Sequence, residues 1–306
     1  MTISIISHAD CALLDLGPHH PESPARLSAI QDQLLASGLD IILQHYDAPP
    51  ADREQLCRVH DAEYVDHVFL MAPEEEQVWL ESDTPMTPYS LQAAMHAAGA
   101  VVLGVDLVMS EQTQSVFCNV RPPGHHAEHD KAMGFCIFNN IAVGAAHALH
   151  TYQLKRVAIV DFDVHHGNGT EDIFRQVKEI LLCSTFQHPF YPFTGTQVES
   201  ENIINVPLPA GSDSKSFRTA FTSHLLPALE TFQPELILIS AGFDAHSEDD
   251  MSDLYLVDQD YFWVTQEIKK IADKYAKGRI VSTLEGGYAL YALGRSVAAH
   301  INALLG

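Results

Sequence analysis

The stretch Val157-Ala-Ile-Val-Asp161-Phe-Asp163-Val-His165-His166-Gly-Asn168 leads from consecutive apolar residues directly into carboxylate, imidazole and amide side chains. Apolar residues at consecutive rather than alternating positions are typical of a strand that is covered on both faces, as in a parallel sheet. Ligands of open parallel sheets bind beyond the carboxyl ends of the strands. The stretch therefore predicts a buried parallel strand whose end contributes to a functional site.

Further apolar runs along the chain predict more strands of the same kind. They alternate with segments of helical spacing, which is the pattern of a mostly parallel sheet between helices. The strands are predicted at Ile3–Ile6, Ile41–Leu43, Val116–Val120, Val157–Val160, Ile180–Leu182, Ile203–Val206, Leu236–Ile239 and Ile280–Thr283, and the main helices at Pro24–Leu35, Pro88–Met109, Ile137–Leu149, Ser216–Leu229, Gln259–Ala276 and Leu290–Leu305. We predict one α/β domain over residues 1–306, with a central sheet of about eight strands and helices on both faces.

The amino-acid composition indicates which binding partners and which cellular compartment are compatible with this chain. The chain carries 17 basic and 40 acidic residues, a formal net charge of −23, which excludes a surface that tracks nucleic-acid phosphates. Its five cysteines show no C-x-x-C spacing, which favours reduced thiols and a cytoplasmic location. The apolar segment 93–109 is interrupted by His96 and Asp106, so we expect a core helix rather than a membrane span. The oligomeric state is not indicated.

Spacing within the quoted stretch predicts a metal site. In an extended chain Asp161, Asp163 and His165 point to one side. Positions two apart are separated by about 6.6 Å and can share an ion, whereas positions four apart, at about 13 Å, cannot unless the chain turns. Asp163 and His165 are therefore the predicted chelating pair. A catalytic zinc has three protein ligands and one open position, and Asp244, after the predicted strand at Leu236–Ile239, is the candidate third ligand.

The alternative is that the Asp-x-His spacing is coincidental, because the chain holds 18 histidines and 40 acidic residues. Buried strand-end carboxylates without a counter-ion are costly, however, and an ion would neutralise them. Two carboxylates and one imidazole suit Zn²⁺ and would also accept Fe²⁺ or Co²⁺.

Acid–base groups follow two other predicted strands. His125 and His126 come after Val116–Val120, where a neutral imidazole beside a metal site can take a proton from water. Asp161 suits a role in orienting an imidazole, or alternatively caps its strand. Tyr288 follows Gly286-Gly287, and its phenol either donates a hydrogen bond to an oxyanion or packs at the start of the last helix.

At these residues the sequence resembles the arginase-deacetylase superfamily, and within it the zinc-dependent histone deacetylases and the bacterial histone deacetylase-like amidohydrolases. The His-Pro-Glu stretch and the amide at Asn168 make it more similar to the class II branch. The motifs that carry the resemblance occur in family order as His20-Pro-Glu-Ser-Pro-Ala-Arg26, Arg121-Pro-Pro-Gly-His-His126, Gly134-Phe-Cys-Ile-Phe-Asn-Asn140, Asp161-Phe-Asp-Val-His-His-Gly-Asn168, Ser240-Ala-Gly-Phe-Asp-Ala-His246 and Glu285-Gly-Gly-Tyr288.

The resemblance implies the arginase/deacetylase fold and a role for each matched catalytic residue. It implies zinc held by the same three residues that the spacing indicates. It further implies His126 as general base, His125 as a partner in proton transfer, Asp161 supporting His125, Asn168 supporting His126, and Tyr288 binding the substrate carbonyl.

The resemblance also implies potassium ions and a substrate tunnel. The first potassium would use Asp161, Asp163, His165, Ser184 and Thr185, and a second would lie near Phe174 and Val177. Gly134, Phe135, Tyr191 and Gly286 would line a narrow tunnel for an aliphatic chain, and Asp83 would grip the substrate backbone. Tyr191 stands where the family often has Phe, and Phe193 where Gly is common, so a narrower, more polar mouth is expected.

The implied activity is hydrolysis of the acetyl amide of acetyllysine, in a protein or peptide, by metal-activated water. An acetylpolyamine amidohydrolase is the closest alternative, because an acidic surface attracts both cationic substrates. A binding protein that keeps the pocket without turnover is disfavoured by the intact catalytic positions. Arginase-like ureohydrolysis is disfavoured because it needs further Asp and His ligands for a second metal.

Overall fold

The computed structural model describes residues 3–197 and 200–306. The strands are β1 Ile3–Ser7, β2 Gln44–Asp47, β3 Val78–Glu81, β4 Thr84–Met86, β5 Ser115–Cys118, β6 Val157–Asp161, β7 Ile180–Gln187, β8 Ile203–Leu208, β9 Leu236–Ala241 and β10 Ile280–Leu284. The helices are α1 Ala9–Leu13, α2 Ala25–Ser37, α3 Arg53–Leu56, α4 Ala62–Met71, α5 Ser90–Met109, α6 Asn140–Tyr152, α7 Asn168–Phe174, α8 Ser214–Ala220, α9 Leu226–Phe232, α10 Asp258–Tyr275 and α11 Leu290–Leu305.

The predicted sheet is confirmed. Eight strands pair in parallel in the order β2-β1-β5-β10-β9-β6-β7-β8. Every residue of β6, β9 and β10 is buried, as the consecutive apolar residues indicate. Helices α5 and α6 pack on the central strands, while α2 and α10 each pack against α11. The carboxyl ends of β5, β10, β9 and β6 are therefore neighbours at one edge.

The predicted strand at Ile41–Leu43 is wrong. Leu39–Ile42 forms a 3-10 helix after Gly38, which adopts a left-handed φ of 75° and ends α2. Ile41 is 86% exposed, so its apolar side chain does not indicate burial. The strand at this edge is the more polar β2, which pairs with β1 alone and needs no apolar outer face.

The longest apolar helix belongs to the core. α5 is long and apolar enough to cross a membrane by length and composition, but 72% of its most apolar window is buried inside the fold. The predicted helix at Ser216–Leu229 is divided into α8, a π-helical turn at Phe221–Leu225, and α9. All five cysteines are unpaired, and four of them are buried.

Candidate active site

The four neighbouring strand ends surround a cavity of about 430 Å³. It is lined by Asp83, Pro123, His125, His126, Gly134, Phe135, Asp163, His165, Phe190, Tyr191, Asp250, Met251, Gly286 and Tyr288. The chain thus brings together at one edge the residues that the sequence predicted for metal binding, acid–base chemistry and substrate binding. Asp161, Asn168 and Asp244 lie behind this lining and contact it from the protein interior.

Asp163, His165 and Asp244 form the compact group that spacing predicted. Their ligand atoms all lie within 4.8 Å of one another, and all three residues are buried. His165 Nδ1 is 3.1 Å from Asp163 Oδ1 and 3.2 Å from Asp244 Oδ2. Backbone amides hold the carboxylates in place, since Gly286 donates to Asp163 Oδ2 and Val164 donates to Asp244 Oδ1.

The donor set fits a divalent cation. Asp244 Oδ2 is buried and accepts no hydrogen bond from residues 3–197 and 200–306, which is costly for a carboxylate oxygen unless a cation faces it. Burial lowers the pKa of His165, but the adjacent Asp163 and Asp244 carboxylates overcome that effect and raise it to about 10. The two carboxylates therefore favour positive charge at this position, which fits a divalent cation.

Glycine keeps the space around these carboxylates open. A Cβ atom on Gly286 would lie 1.9 Å from Asp244 Oδ2, and one on Gly242 would lie 2.0 Å from Asp163 Oδ2. Any side chain at either position would displace a carboxylate oxygen of the group.

The two histidines after β5 differ in charge because their partners differ. His125 Nδ1 donates to Asp161 Oδ2 at 2.9 Å. Burial lowers the pKa of His125, but the Asp161 and Asp163 carboxylates raise it to about 10. His126 is instead paired with a neutral amide, and burial together with the charges of His125 and His165 holds its pKa well below the usual range.

Asn168 fixes the tautomer of His126. The Asn168 Nδ2 group donates to Glu128 Oε1 at 2.7 Å, which turns Oδ1 toward the imidazole. His126 Nδ1 then donates to that oxygen at 2.8 Å. The lone pair consequently lies on Nε2 of a neutral ring that lines the cavity. This is the arrangement that a general base requires.

Tyr288 lies across the same cavity, after Gly287 with its positive φ of 122°. Its backbone amide donates to Asp249 Oδ2 at 2.6 Å. The guanidinium of Arg26 lies 4.9 Å from the centre of the phenol ring, and its Nε donates to the Gly287 carbonyl at 2.7 Å. Burial raises the pKa of the phenol well above its usual value, so the hydroxyl stays a donor.

Glu285 and Glu22 are structural groups that residue-level reasoning missed, although both stand in the quoted motifs. Glu285 is fully buried and accepts from the backbone amides of Gly124 and His125. Glu22 binds the Arg26 and Arg121 guanidinium groups in the interior. For Glu285 the available signal was its position directly after an apolar run, since a buried carboxylate must have partners. Glu22 follows no such run.

Two of the residues predicted for the first potassium ion lie side by side on neighbouring strands. Ser184 pairs with Asp161 across β6 and β7, and its buried hydroxyl has no hydrogen-bond partner in the described part of the chain. Thr185 is the next residue and is buried as well. An orphaned hydroxyl beside a carboxylate fits the oxygen-rich surroundings of a hard cation.

The second potassium ion is predicted near Phe174 and Val177, whose carbonyl groups already have a donor. Asn202 Nδ2 lies 2.9 Å from the Phe174 oxygen, 3.1 Å from the Val177 oxygen and 3.0 Å from the Ile180 oxygen. A cation bound there would compete with this amide. The second site stays a prediction.

The cavity lining includes the residues predicted for the tunnel, Gly134, Phe135, Tyr191 and Gly286, and one further aromatic residue. Phe190, which was not predicted, stacks on His165 with ring centres 5.4 Å apart. Asp83 comes from the turn of the separate β3-β4 hairpin, and Tyr191 donates to it at 2.7 Å. Phe193 does not line the cavity and is 72% exposed. Of the two residues that differ from the usual family residue, only Tyr191 therefore lines the cavity.

A second group of possible ligands, His8, Asp10 and His96, lies outside this cavity. The two imidazole rings are stacked with their centres 3.5 Å apart and their planes 10° apart. The in-plane lone pairs of stacked rings are parallel, so they cannot meet at one ion unless a ring rotates.

Several known proteins are similar to this chain in sequence, and one solved structure is similar in fold. The model of the histone deacetylase domain matches residues 20–304. Histone deacetylase 14, chloroplastic, of Arabidopsis thaliana is 38% identical over 94% of this chain and 73% of its own length. A histone deacetylase-like amidohydrolase of Pseudomonas aeruginosa is 36% identical over 88% of this chain and 73% of its own length. The crystal structure of the HDA15 HD domain superposes with a TM-score of 0.93 at 34% identity, covering 100% of this chain and 88% of that one. The chain belongs to the histone deacetylase family.

Proposed function

We propose that this chain is a zinc-dependent deacetylase that hydrolyses the acetyl amide of an acetylated primary amine, with acetyllysine as one substrate class and an acetylated polyamine as the other. One observation carries the proposal: the group formed by Asp163, His165 and Asp244, with an unpaired carboxylate oxygen, shares a site with the neutral imidazole of His126. Histone deacetylase and amidohydrolase relatives support the same class of reaction.

The roles of the chain's own residues follow from their partners. His126 Nε2 would take a proton from the attacking water, while Asn168 holds the ring in the required tautomer. His125, kept protonated beside Asp161, would help to deliver a proton to the departing amine. Tyr288 would donate its hydroxyl hydrogen to the substrate carbonyl oxygen as negative charge develops there. A divalent ion bound by the three ligands would make water more acidic and polarise the carbonyl.

Potassium is proposed as a structural ion beneath these groups. Asp161 and the unpaired Ser184 hydroxyl support a monovalent cation there. Its positive charge would stabilise the buried carboxylates behind His125 without occupying the substrate cavity.

The test is turnover of two substrates by the purified chain supplied with zinc and potassium. We expect hydrolysis of a fluorogenic acetyllysine peptide, of N-acetylputrescine, or of both. Tyr288→Phe removes the proposed carbonyl donor and should lower kcat by about 100-fold, with zinc content unchanged. The matched control is Tyr291→Phe, because Tyr291 is 87% exposed and lies outside the cavity.

Two results would contradict the proposal. Neither substrate being hydrolysed would favour a non-catalytic protein that binds acylated lysine. Equal turnover by Tyr288→Phe and the wild-type chain would show that the phenol has no part in the reaction.

A further inference from the structure

Tyr191 is part of the tunnel wall and is hydrogen-bonded to Asp83, the residue at the tunnel mouth. The Tyr191 hydroxyl donates to Asp83 Oδ2 at 2.7 Å. The same ring meets His126 edge to face, with centres 5.3 Å apart, and His165 with centres 5.9 Å apart. The hydroxyl also lies 3.1 Å from the point where a Cβ atom of Gly134 would stand. Tyr191 thus spans the distance from the reacting groups to the Asp83 carboxylate.

The Asp83 carboxylate is largely occupied by donors from its own chain. Its Oδ1 accepts from the Thr84 hydroxyl at 2.9 Å and from the Gly134 amide at 3.2 Å, while Oδ2 accepts from Tyr191. A carboxylate offers about four lone-pair positions, so three of them are filled before substrate arrives. One lone-pair position therefore stays free. A peptide on both sides of an acetyllysine brings more than one backbone N–H group, so the first can use the free position but a second would have to displace Tyr191.

The Tyr191 hydroxyl does not give up its proton easily. Burial and the neighbouring Asp83 carboxylate both raise the pKa of this phenol. It therefore remains a donor to Asp83 throughout the neutral pH range.

Occupied lone pairs do not remove the charge of Asp83. A free ammonium group at the far end of a small substrate is attracted by that charge and needs no vacant lone pair for it. Asp250 also lines the cavity and is exposed, so the mouth presents two carboxylates to such a group. The occupied lone pairs of Asp83 therefore disfavour the binding of backbone N–H donors, whereas the negative charge of Asp83 favours the binding of small cations.

We propose that the Tyr191–Asp83 hydrogen bond is a specificity element that favours small N-acetylated diamines or polyamines over acetyllysine within a peptide backbone. This inference rests on the proposed deacetylase function and selects between its two substrate classes. Tyr191 is a positioning residue in this scheme, because it acts through the carboxylate that meets the outer part of the substrate.

The test compares kcat/KM for N-acetylputrescine and for an acetyllysine peptide in the wild-type chain and in Tyr191→Phe. The Phe variant keeps the ring and frees Asp83 Oδ2, so the peptide-to-diamine ratio should rise about tenfold, the value of one charge-assisted hydrogen bond. The ratio is independent of the fraction of folded enzyme, so partial misfolding does not imitate the effect. Tyr291→Phe should leave the ratio at its wild-type value.

N-Acetylpentylamine separates charge from size, because it has the length of N-acetylputrescine with a methyl group in place of the ammonium group. The wild-type chain should prefer N-acetylputrescine, and Asp83→Asn should reduce that preference. A peptide-to-diamine ratio within twofold of wild type in Tyr191→Phe overturns the inference. Loss of turnover on both substrates in a folded Tyr191→Phe also overturns it, since the hydroxyl would then serve the reaction itself. If the wild-type chain hydrolyses neither substrate, the proposed function fails instead.

Discussion

At the scale of single residues, the difference between His125 and His126 depends on whether the partner is charged. Asp161 stabilises the protonated form of His125, whereas the amide of Asn168 stabilises neutral His126 without favouring its imidazolium form. One imidazole is therefore prepared to release a proton and the other to accept one. The difference between the two histidines therefore arises from Asp161, at the end of β6, and Asn168, at the start of α7.

Asn168→Asp should move the acid limb of the kcat/KM profile to higher pH. A carboxylate beside Nδ1 stabilises the imidazolium, so it raises the pKa of His126, and the base is lost at a higher pH as the solution is acidified. We expect a shift of about one pH unit upward. The profile is measured from pH 5 to 9 on one substrate, with thermal unfolding as a check on folding because Glu128 is adjacent. An acid limb that does not move would contradict the assignment of His126 as the base.

The candidate ligands could be predicted from the sequence because the evidence for them is local. Asp163 and His165 are two positions apart on one strand end, and Asp244 follows a recognisable apolar run. The Tyr191–Asp83 contact could not be predicted in this way, because its two residues are 108 positions apart and belong to different loops. No periodicity relates such positions, and only the folded chain brings them together.

At the scale of elements, the loops after β5 and β10 depend on one another through Glu285. Its Oε2 accepts from Gly124 at 2.7 Å and from His125 at 3.2 Å, and its Oε1 accepts from the Ser240 hydroxyl at 2.9 Å. The loop that carries Tyr288 therefore also holds the backbone at Gly124 and His125. Burial raises the pKa of Glu285 to about 7, yet its acceptor role needs only an oxygen.

Glu285→Ala should destabilise the chain by about 3 kcal/mol, because two buried backbone amides lose their acceptor, and it should lower kcat as His125 shifts. Glu285→Gln should recover most of both losses, since an amide oxygen can accept from the backbone while the amide nitrogen faces the Ser240 hydroxyl. Denaturant unfolding and steady-state kinetics measure the two effects. The exposed residue Glu63 provides a control in Glu63→Gln. Equal stability of the Ala variant and the wild-type chain would contradict this role.

Element boundaries were predicted best where burial is complete. β6, β9 and β10 were recognised from consecutive apolar residues, whereas edge strand β2 was misplaced because its residues Gln44–Asp47 are mostly exposed. The β3-β4 hairpin was missed for a similar reason, since β3 alternates between partly buried and exposed positions and is only four residues long. Short, half-exposed elements carry little hydrophobic signal.

At the scale of the whole molecule, the order of strands turns separate sequence motifs into one site. The motif-bearing strands β5, β10, β9 and β6 are adjacent in the sheet although they are distant in the chain. The sequence predicts the parallel sheet and its functional edge, but the strand order depends on how the crossover helices pack. The net charge of −23 gives the molecule a field that attracts cations toward that edge and its acidic mouth.

The central claim is that one divalent ion is bound by Asp163, His165 and Asp244. It is tested most directly by measuring metal content per chain, together with turnover, before and after exhaustive chelation, in the wild-type chain and in Asp244→Ala. We predict about one ion per wild-type chain, loss of turnover on chelation, recovery on adding zinc, and no bound ion in a folded Asp244→Ala. Full turnover after chelation, or wild-type metal content in Asp244→Ala, would contradict the claim.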